Sequence, residues 1–325
     1  TEHENPFSLS WERRTGPEDT LSALALADMA VFHALLSAPP EEGPWHLLRN
    51  FHHESRQGKE SAPLTELAAA LADAASPAAL LDCLTAFYQS HGVGPLGLGQ
   101  VFHVRREADG VRLLPVRDRP PVRLADLVGY RQQKEQLVRN TEAFLHGRGG
   151  NNVLLYGDAG TGKSTSVQAI ANEYAAKGLR LIEVYKEQYD LIPALLRQIK
   201  GRNYRFLLFL DDLSFEENET SYKYLKAVME GGAEAPPENG RICATSNRRH
   251  LVREVWSDRS DIEHDGDIHR SDTVEEKLSL ASRFGLQLFY PAPTFEEYQQ
   301  IVSILSERAG TDLTAEQLRA AAATW

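Results

Sequence analysis

Between Asn152 and Thr165 the chain reads NVLLYGDAGTGKST, an apolar strand that runs directly into a glycine-rich turn closed by Gly162, Lys163 and Ser164. The G-x-x-x-x-G-K-[ST] spacing lets the backbone N–H groups of residues 158–163 point inward around a β-phosphate. Gly157, Gly160 and Gly162 remove the side chains that would block that approach. Lys163 is placed to reach the β- and γ-phosphates, and the Ser164 hydroxyl is placed to ligate Mg2+. The helix that follows adds the favourable dipole of its N-terminus. Gly157, Asp158, Ala159, Gly160, Thr161, Gly162, Lys163, Ser164 and Thr165 are therefore read together as a cradle for a nucleotide's phosphates.

From about residue 121 onward, strands alternate with helical stretches. Strands are expected near 152–156, 180–185, 205–211, 240–245 and 286–290, which predicts an α/β fold with a five-stranded parallel sheet covered on both faces. In such a sheet a ligand sits at the carboxyl ends of the strands, where the phosphate cradle already lies.

Two further segments bring chemistry to that edge. RFLLFLDDLSFEE is apolar from Phe206 to Leu210 and then carries Asp211 and Asp212. Paired carboxylates at a strand tip are costly unless a cation or a reaction uses them. Beside a phosphate cradle, Asp211 is the candidate holder of Mg2+, through water, and Asp212 the candidate that orients or deprotonates an attacking water. RICATSNRRH delivers Thr245, Ser246 and Asn247, of which Asn247 can hold the lytic water or touch the γ-phosphate without adding charge. Arg283 comes immediately before the last strand, where it is placed to enter a neighbouring subunit's site and neutralise charge on a γ-phosphoryl group.

Residues 1–92 read as a helical N-terminal domain. Thr15 with Glu18 forms a capping-box pattern, and Ser76 with Pro77 opens a helix carrying Leu80, Leu81, Leu84 and Phe87. His52 and His53 have no partner at metal-ligand spacing and are read as surface residues. The glycine-rich stretch 91–100 lacks the Lys-Ser pair and is read as a loop. QVFHVR and VRLLPV flank Asp109-Gly110, a hairpin signal, so residues 93–120 are expected to form a connection containing a β-hairpin. Arg105, Arg106, Arg112, Arg117, Arg119, Arg123, Arg131 and Lys134 make this the most basic part of the chain, read as a solvated face or as a contact for nucleic acid or an acidic partner.

Composition narrows the classes. In 325 residues with 42% apolar content there is ample material for a buried core, and a formal charge of −11 disfavours indiscriminate binding to DNA or acidic membranes. No unbroken run of eighteen apolar residues is present, and TEHENPFSLS lacks the features of a signal peptide, so no membrane span is expected. The two cysteines, Cys83 and Cys243, lie far apart and suit a reducing, cytoplasmic setting without a disulfide framework or zinc site.

These motifs resemble those of the AAA+ ATPases, over about residues 121–308. RLADLVGY, residues 123–130, is similar to the family's adenine-contacting segment, which implies base contacts from Val128 and Gly129. GDAGTGKST resembles its Walker A, LFLDD its Walker B, ATSN its sensor 1 and SRFG its arginine-finger box. DDLSFEE and ATSNRRHL are similar to motifs of an uncharacterised bacterial ATP-binding AAA+ family, and the double aspartate and SRFG are also like those of bacterial replication initiator ATPases. The resemblance implies ATP and Mg2+ as ligands, Lys163, Asp212, Asn247 and Arg283 as catalytic residues, Ser164 and Asp211 at the metal, and a homo-oligomer in which Arg283 serves the next subunit. Residues 121–291 would then form the ATPase core and residues 292–325 a partial helical lid. Most AAA+ proteins have Asp-Glu where this chain has Asp211-Asp212. The shorter carboxylate implies slow, switch-like hydrolysis.

The expectation is an ATPase that switches or remodels a macromolecular partner. The acidic charge favours a protein engaged through the N-terminal domain over nucleic acid. An ATP-binding scaffold with little turnover is the alternative, followed by a small-molecule kinase, for which no acceptor segment or arginine-rich inserted lid is found. A GTPase is disfavoured because no N-K-x-D segment follows the fourth strand. A weaker pattern at 261–272 places Asp261, Glu263, Asp265, Gly266, Ile268 and Asp272 at calcium-loop positions, with a solvated loop as the favoured reading.

Overall fold

The apolar runs 153–155, 206–210 and 242–244 leave no face for water, which suits strands covered by helices on both sides. The computed structural model describes residues 5–13, 15–37, 62–108, 110–116, 119, 121–215, 221–231, 236–247, 280–311 and 317–320. Within it, a hairpin of β1 (Val101–Glu107) and β2 (Gly110–Pro115) is followed by five parallel strands in the expected places: β3 (Val153–Gly157), β4 (Leu179–Glu183), β5 (Arg205–Leu210), β6 (Gly240–Ser246) and β7 (Leu286–Tyr290). Leu154, Leu155, Leu179, Leu181, Ile182, Leu208, Leu210 and Ala244 are fully buried in them.

The sheet has seven strands rather than five, in the order β2-β1-β4-β5-β6-β3-β7. The extra pair is the antiparallel hairpin, whose expected turn residue Asp109 lies outside the described residues. The hairpin continues the sheet, because β1 pairs in parallel with β4 and buries Val101, Phe102 and Val104. A sequence reading finds the hairpin from its turn but cannot see that the apolar flank of β4 requires a neighbour. Its arginines are largely paired within the chain: Arg105 and Arg112 with Glu107, at 3.4 and 3.5 Å, and Arg106 with Asp190 at 2.8 Å.

The strand order sets the site. β6 lies between β3 and β5, with Leu154 opposite Ala244 and Leu210 opposite Ala244 on the other side. The tips of the phosphate-loop strand, the Thr245–Asn247 strand and the acidic strand are thereby neighbours at one edge.

The chain divides after Gly99 into two compact units. In the first, helices Pro6–Glu12, Asp19–Ser37 and Ala62–Ala72 pack on the central helix Pro77–His91, which buries Leu80 and Phe87. Ser76 caps that helix by accepting from the Ala79 N–H at 3.2 Å, with Pro77 in its first turn, as its sequence predicts. Thr15 does not open the helix that begins at Asp19; its hydroxyl donates to the Ser10 carbonyl instead. The stretch read as a loop holds one short helix, Pro95–Leu98. A buried carboxylate, that of Glu12, accepts from the Val93 N–H at 2.7 Å.

Helix Asp19–Ser37 exposes Leu24, Leu26, Val31, Phe32 and Leu36. Among the described residues it is the one helix that by length and composition is long and apolar enough to cross a membrane, although it holds no unbroken run of eighteen apolar residues. Ser22, Asp28 and His33 interrupt the apolar run but leave the segment apolar on average. His52, His53 and the pattern at 261–272 lie outside the described residues.

Candidate functional site

The phosphate loop leaves β3 at Gly157 and enters helix Lys163–Tyr174 through Gly162. Gly157 has φ +135°, and a Cβ there would lie 2.0 Å from the Tyr290 carbonyl oxygen, so the close approach of β3 to β7 requires glycine. Gly162 has φ +87°, and a Cβ would meet Leu127 Cδ2 at 2.6 Å. Leu127, whose side chain lies against the loop, directly precedes Val128 and Gly129. Thr161 closes the turn by donating to the Asp158 carbonyl at 2.8 Å.

Lys163 is only 6% exposed, and its Nζ donates to the carbonyls of Gly157 at 3.0 Å and Asp158 at 2.5 Å. Burial pulls its pKa down, while Asp158, Asp212 and Asp211 act in the opposite sense. The lysine is therefore placed among carbonyls and carboxylates that favour its charged form against the cost of desolvation.

Across the loop, Ser164 Oγ donates to Asp211 Oδ1 at 2.6 Å. The same oxygen accepts from Thr245 Oγ1 at 2.5 Å, while Asn247 Nδ2 donates to Asp212 Oδ1 at 2.9 Å. Four of the predicted site residues, Ser164, Asp211, Asp212 and Asn247, thus meet at one edge in a network of hydrogen bonds, with Lys163 beside them. Oxygen donors on Ser164 and Asp211 at this separation suit a small, hard cation such as Mg2+.

Arg283 stands apart from this network. It precedes β7 and donates through Nη2 to Glu230 Oε1 at 2.7 Å, with its side chain 46% exposed.

Several contacts that the motifs do not specify complete the surroundings. Tyr130, at φ 51°, stacks on Tyr290 with ring centroids 4.8 Å apart and donates its hydroxyl to the Pro291 carbonyl at 2.8 Å. Gln133 Nε2 donates to the Phe289 carbonyl at 2.7 Å, and the Ala292 N–H donates to Asp158 Oδ2 at 2.8 Å. The segment 289–292 leads from β7 to helix Phe295–Ala309, whose Arg308 donates to the Asp126 and Ala125 carbonyls at 3.0 and 2.9 Å. Contacts between residues more than a hundred positions apart leave no local sequence signal. The one available clue is the aromatic residue next to Gly129 in RLADLVGY.

A phosphate loop on β3, an acidic pair at the tip of β5 and a polar strand tip between them are the marks of the P-loop NTPase fold of the AAA+ class. The chain belongs to the family described as "Protein of unknown function (DUF815)", whose profile matches residues 99–325. Among curated proteins it is similar to the replication factor C large subunit of Methanococcus vannielii, 26% identical over 208 residues, covering 60% of this chain and 38% of that protein. The large subunit from Methanococcus maripaludis strain C6 is 33% identical over 204 residues, covering 60% and 39%. The chain thus spans less than half the length of these relatives. Among solved structures, the Thermotoga maritima RuvB Holliday junction branch migration motor aligns with a TM-score of 0.41 at 19% identity, over 62% of this chain and 58% of that one. The FIGL-1 AAA domain in complex with ADP aligns with a TM-score of 0.44 at 20% identity, over 62% and 66%.

Proposed function

We propose that this protein binds ATP with Mg2+ and hydrolyses it slowly, using the cycle to switch or remodel a macromolecular partner. The observation that carries the reading is the meeting of Ser164 with Asp211 at 2.6 Å, between the phosphate loop and the acidic strand. In this reading the loop amides and Lys163 bind the phosphates, Val128 and Gly129 flank the base, and Ser164 and Asp211 hold Mg2+. Bound there, the cation would neutralise charge on the β- and γ-phosphates. Asp212 orients and accepts a proton from the attacking water, and its bond to Asn247 fixes the carboxylate for that task. A carboxylate one methylene shorter than glutamate reaches less far, which supports slow turnover.

Arg283 is proposed to act in the site of an adjacent copy of the chain, because in its own subunit it pairs with Glu230 rather than with the acidic network. The N-terminal helical unit is proposed to engage a protein partner in the cytoplasm. The net charge of −11 and the internal pairing of Arg105, Arg106 and Arg112 favour a protein over nucleic acid.

Phosphate release measured for wild type, Lys163→Ala and Asp212→Asn tests the proposal. Wild type should release phosphate without any acceptor, Lys163→Ala should bind ATP at least about tenfold more weakly, and Asp212→Asn should bind ATP but lose turnover. Tight binding with no release by wild type would replace the hydrolase with an ATP-binding scaffold.

A further inference from the structure

Thr245 makes contacts that neither the phosphate-loop motif nor the acidic pair calls for. Its Oγ1 donates to Asp211 Oδ1 at 2.5 Å and accepts from the Asp212 N–H at 2.9 Å. Its carbonyl accepts from the Leu213 N–H at 2.7 Å. One residue of β6 therefore holds three consecutive residues at the tip of β5. Thr245 is 1% exposed, so water has little room to take over these bonds if the hydroxyl is removed.

Asp212 needs such a hold. Its φ is 51°, and among the described residues only Tyr130 and Asp212 combine a side chain with positive φ. An L-residue in that region is disfavoured by its own Cβ and persists where its surroundings fix it. The Asp212 N–H, bonded to the Thr245 hydroxyl, is the atom through which that constraint is applied. Thr245 also distinguishes the two oxygens of Asp211. Both Ser164 and Thr245 donate to Oδ1, and among the described residues Oδ2 accepts no hydrogen bond, which leaves it to a cation or a cation's water.

We propose that Thr245 is a positioning residue for the acidic pair: its hydroxyl turns Asp211 so that one oxygen serves the metal and pins Asp212 in the left-handed conformation. The effect on turnover rests on the ATPase reading above; the bridge itself does not. A threonine rather than a purely apolar β-branched residue is required, because one hydroxyl must donate to a carboxylate and accept from an amide at once.

The test compares wild type with Thr245→Val, which keeps the shape and deletes the hydroxyl, and Thr245→Ser, which keeps the hydroxyl and deletes the methyl. Amide hydrogen exchange over residues 211–214 is measured without nucleotide, and phosphate release is measured over a range of ATP concentrations. Thr245→Val should exchange the Asp212 amide at least about tenfold faster. Its kcat should fall at least about tenfold while KM stays within about twofold, and Thr245→Ser should restore both properties. If the valine variant does not fold, Thr245→Ala carries the same expectations. Native exchange in Thr245→Val, or a serine variant as impaired as the valine one, overturns the proposal. If wild type releases no phosphate yet the valine variant still exchanges faster, the hydrolase reading fails and the hydroxyl bridge stands.

Discussion

Arg283 and Glu230 form an ion pair of 2.7 Å that ties the turn before β7 to the last residue of helix Tyr222–Glu230. The side chains are 46% and 33% exposed, so the pair contributes at most about 1 kcal/mol to folding. A guanidinium held this weakly can exchange Glu230 for a charge on another protomer at little cost to the fold. Arg283→Ala should therefore keep its thermal stability and its nucleotide affinity while losing at least about tenfold in turnover. Mixing Arg283→Ala with Asp212→Asn should recover activity, since each chain supplies what the other lacks. An unchanged rate in Arg283→Ala alone removes the role between subunits.

Gly157→Ala tests how tightly the phosphate loop is built into the sheet. The added Cβ would fall 2.0 Å from the Tyr290 carbonyl oxygen, so β3 and β7 would have to part at their paired ends. We expect a loss of about 3 kcal/mol or more in denaturant unfolding, from overpacking together with an unfavourable φ. Gly160→Ala is the control. Its φ of +74° is also positive, but nothing lies within 4 Å of the new atom, so about 1 kcal/mol is expected there. Equal losses at the two positions would mean that backbone conformation alone, and not the β3–β7 approach, demands glycine at 157.

What could be read from the sequence was what is local. β3, β5 and β6 show themselves as short apolar runs with polar tips, and the tips carry Lys163, Asp211, Asp212 and Asn247 in patterns tied to phosphate chemistry. The place of the β1–β2 hairpin was hidden because a turn signal specifies a pair of strands but not the sheet they join. Phe102 is fully buried, with Ile182 of β4 beside it on one side and Pro115 of β2 on the other. Arg283 was visible as an arginine before a strand, whereas its partner Glu230 lies 53 residues away with no pattern connecting them. Thr245 was legible as a residue of the ATSN tip, but its three hydrogen bonds to Asp211, Asp212 and Leu213 depend on the side-by-side placement of β5 and β6. Helix Asp19–Ser37 shows the converse limit: its apolar residues suggest a core, yet several face outward.

Tyr290 links stability to alkaline pH. Its hydroxyl donates to Ser166 Oγ at 3.1 Å, and burial raises its pKa from 10.0 to about 12. The folded-state value is the higher one, so the contribution of the neutral phenol is fully present below pH 10 and is lost as pH rises from 10 to about 12. Over the first unit of that range the loss from this group approaches about 1 kcal/mol. Tyr174, raised from 10.0 to about 12, and Cys243, raised from 9.0 to about 12, contribute over overlapping pH ranges, so the measurement is the difference between wild type and Tyr290→Phe. The phenylalanine variant should be less stable by about 1 kcal/mol at neutral pH, from the lost hydrogen bond, and the gap should narrow above pH 10. Parallel stability curves would show that Tyr290 is not ionising with unfolding.

Arg308 gives helix Phe295–Ala309 a second point of attachment. The segment 289–292 is bound by Tyr130, Gln133 and Asp158 at one end of helix Phe295–Ala309, and Arg308 binds the carbonyls of Ala125 and Asp126 at the other. Those carbonyls immediately precede Leu127, Val128 and Gly129, so the helix is fastened to the segment that would flank a base. Arg308 is 45% exposed, and its ion pair with Asp126 at 3.7 Å adds little in water, so the two hydrogen bonds to carbonyls are the main tie. Cutting that tie should let the helix swing from the site without unfolding the sheet. Arg308→Ala should release a fluorescent ATP analogue about three- to tenfold faster in stopped-flow displacement, with association little changed, as expected when a bound-state contact is lost. Arg308→Lys can make only a single-point attachment and should fall between the two. If release from Arg308→Ala matches wild type, the helix does not govern nucleotide residence, and closure over the base must come from the contacts of Tyr130 and Gln133 instead.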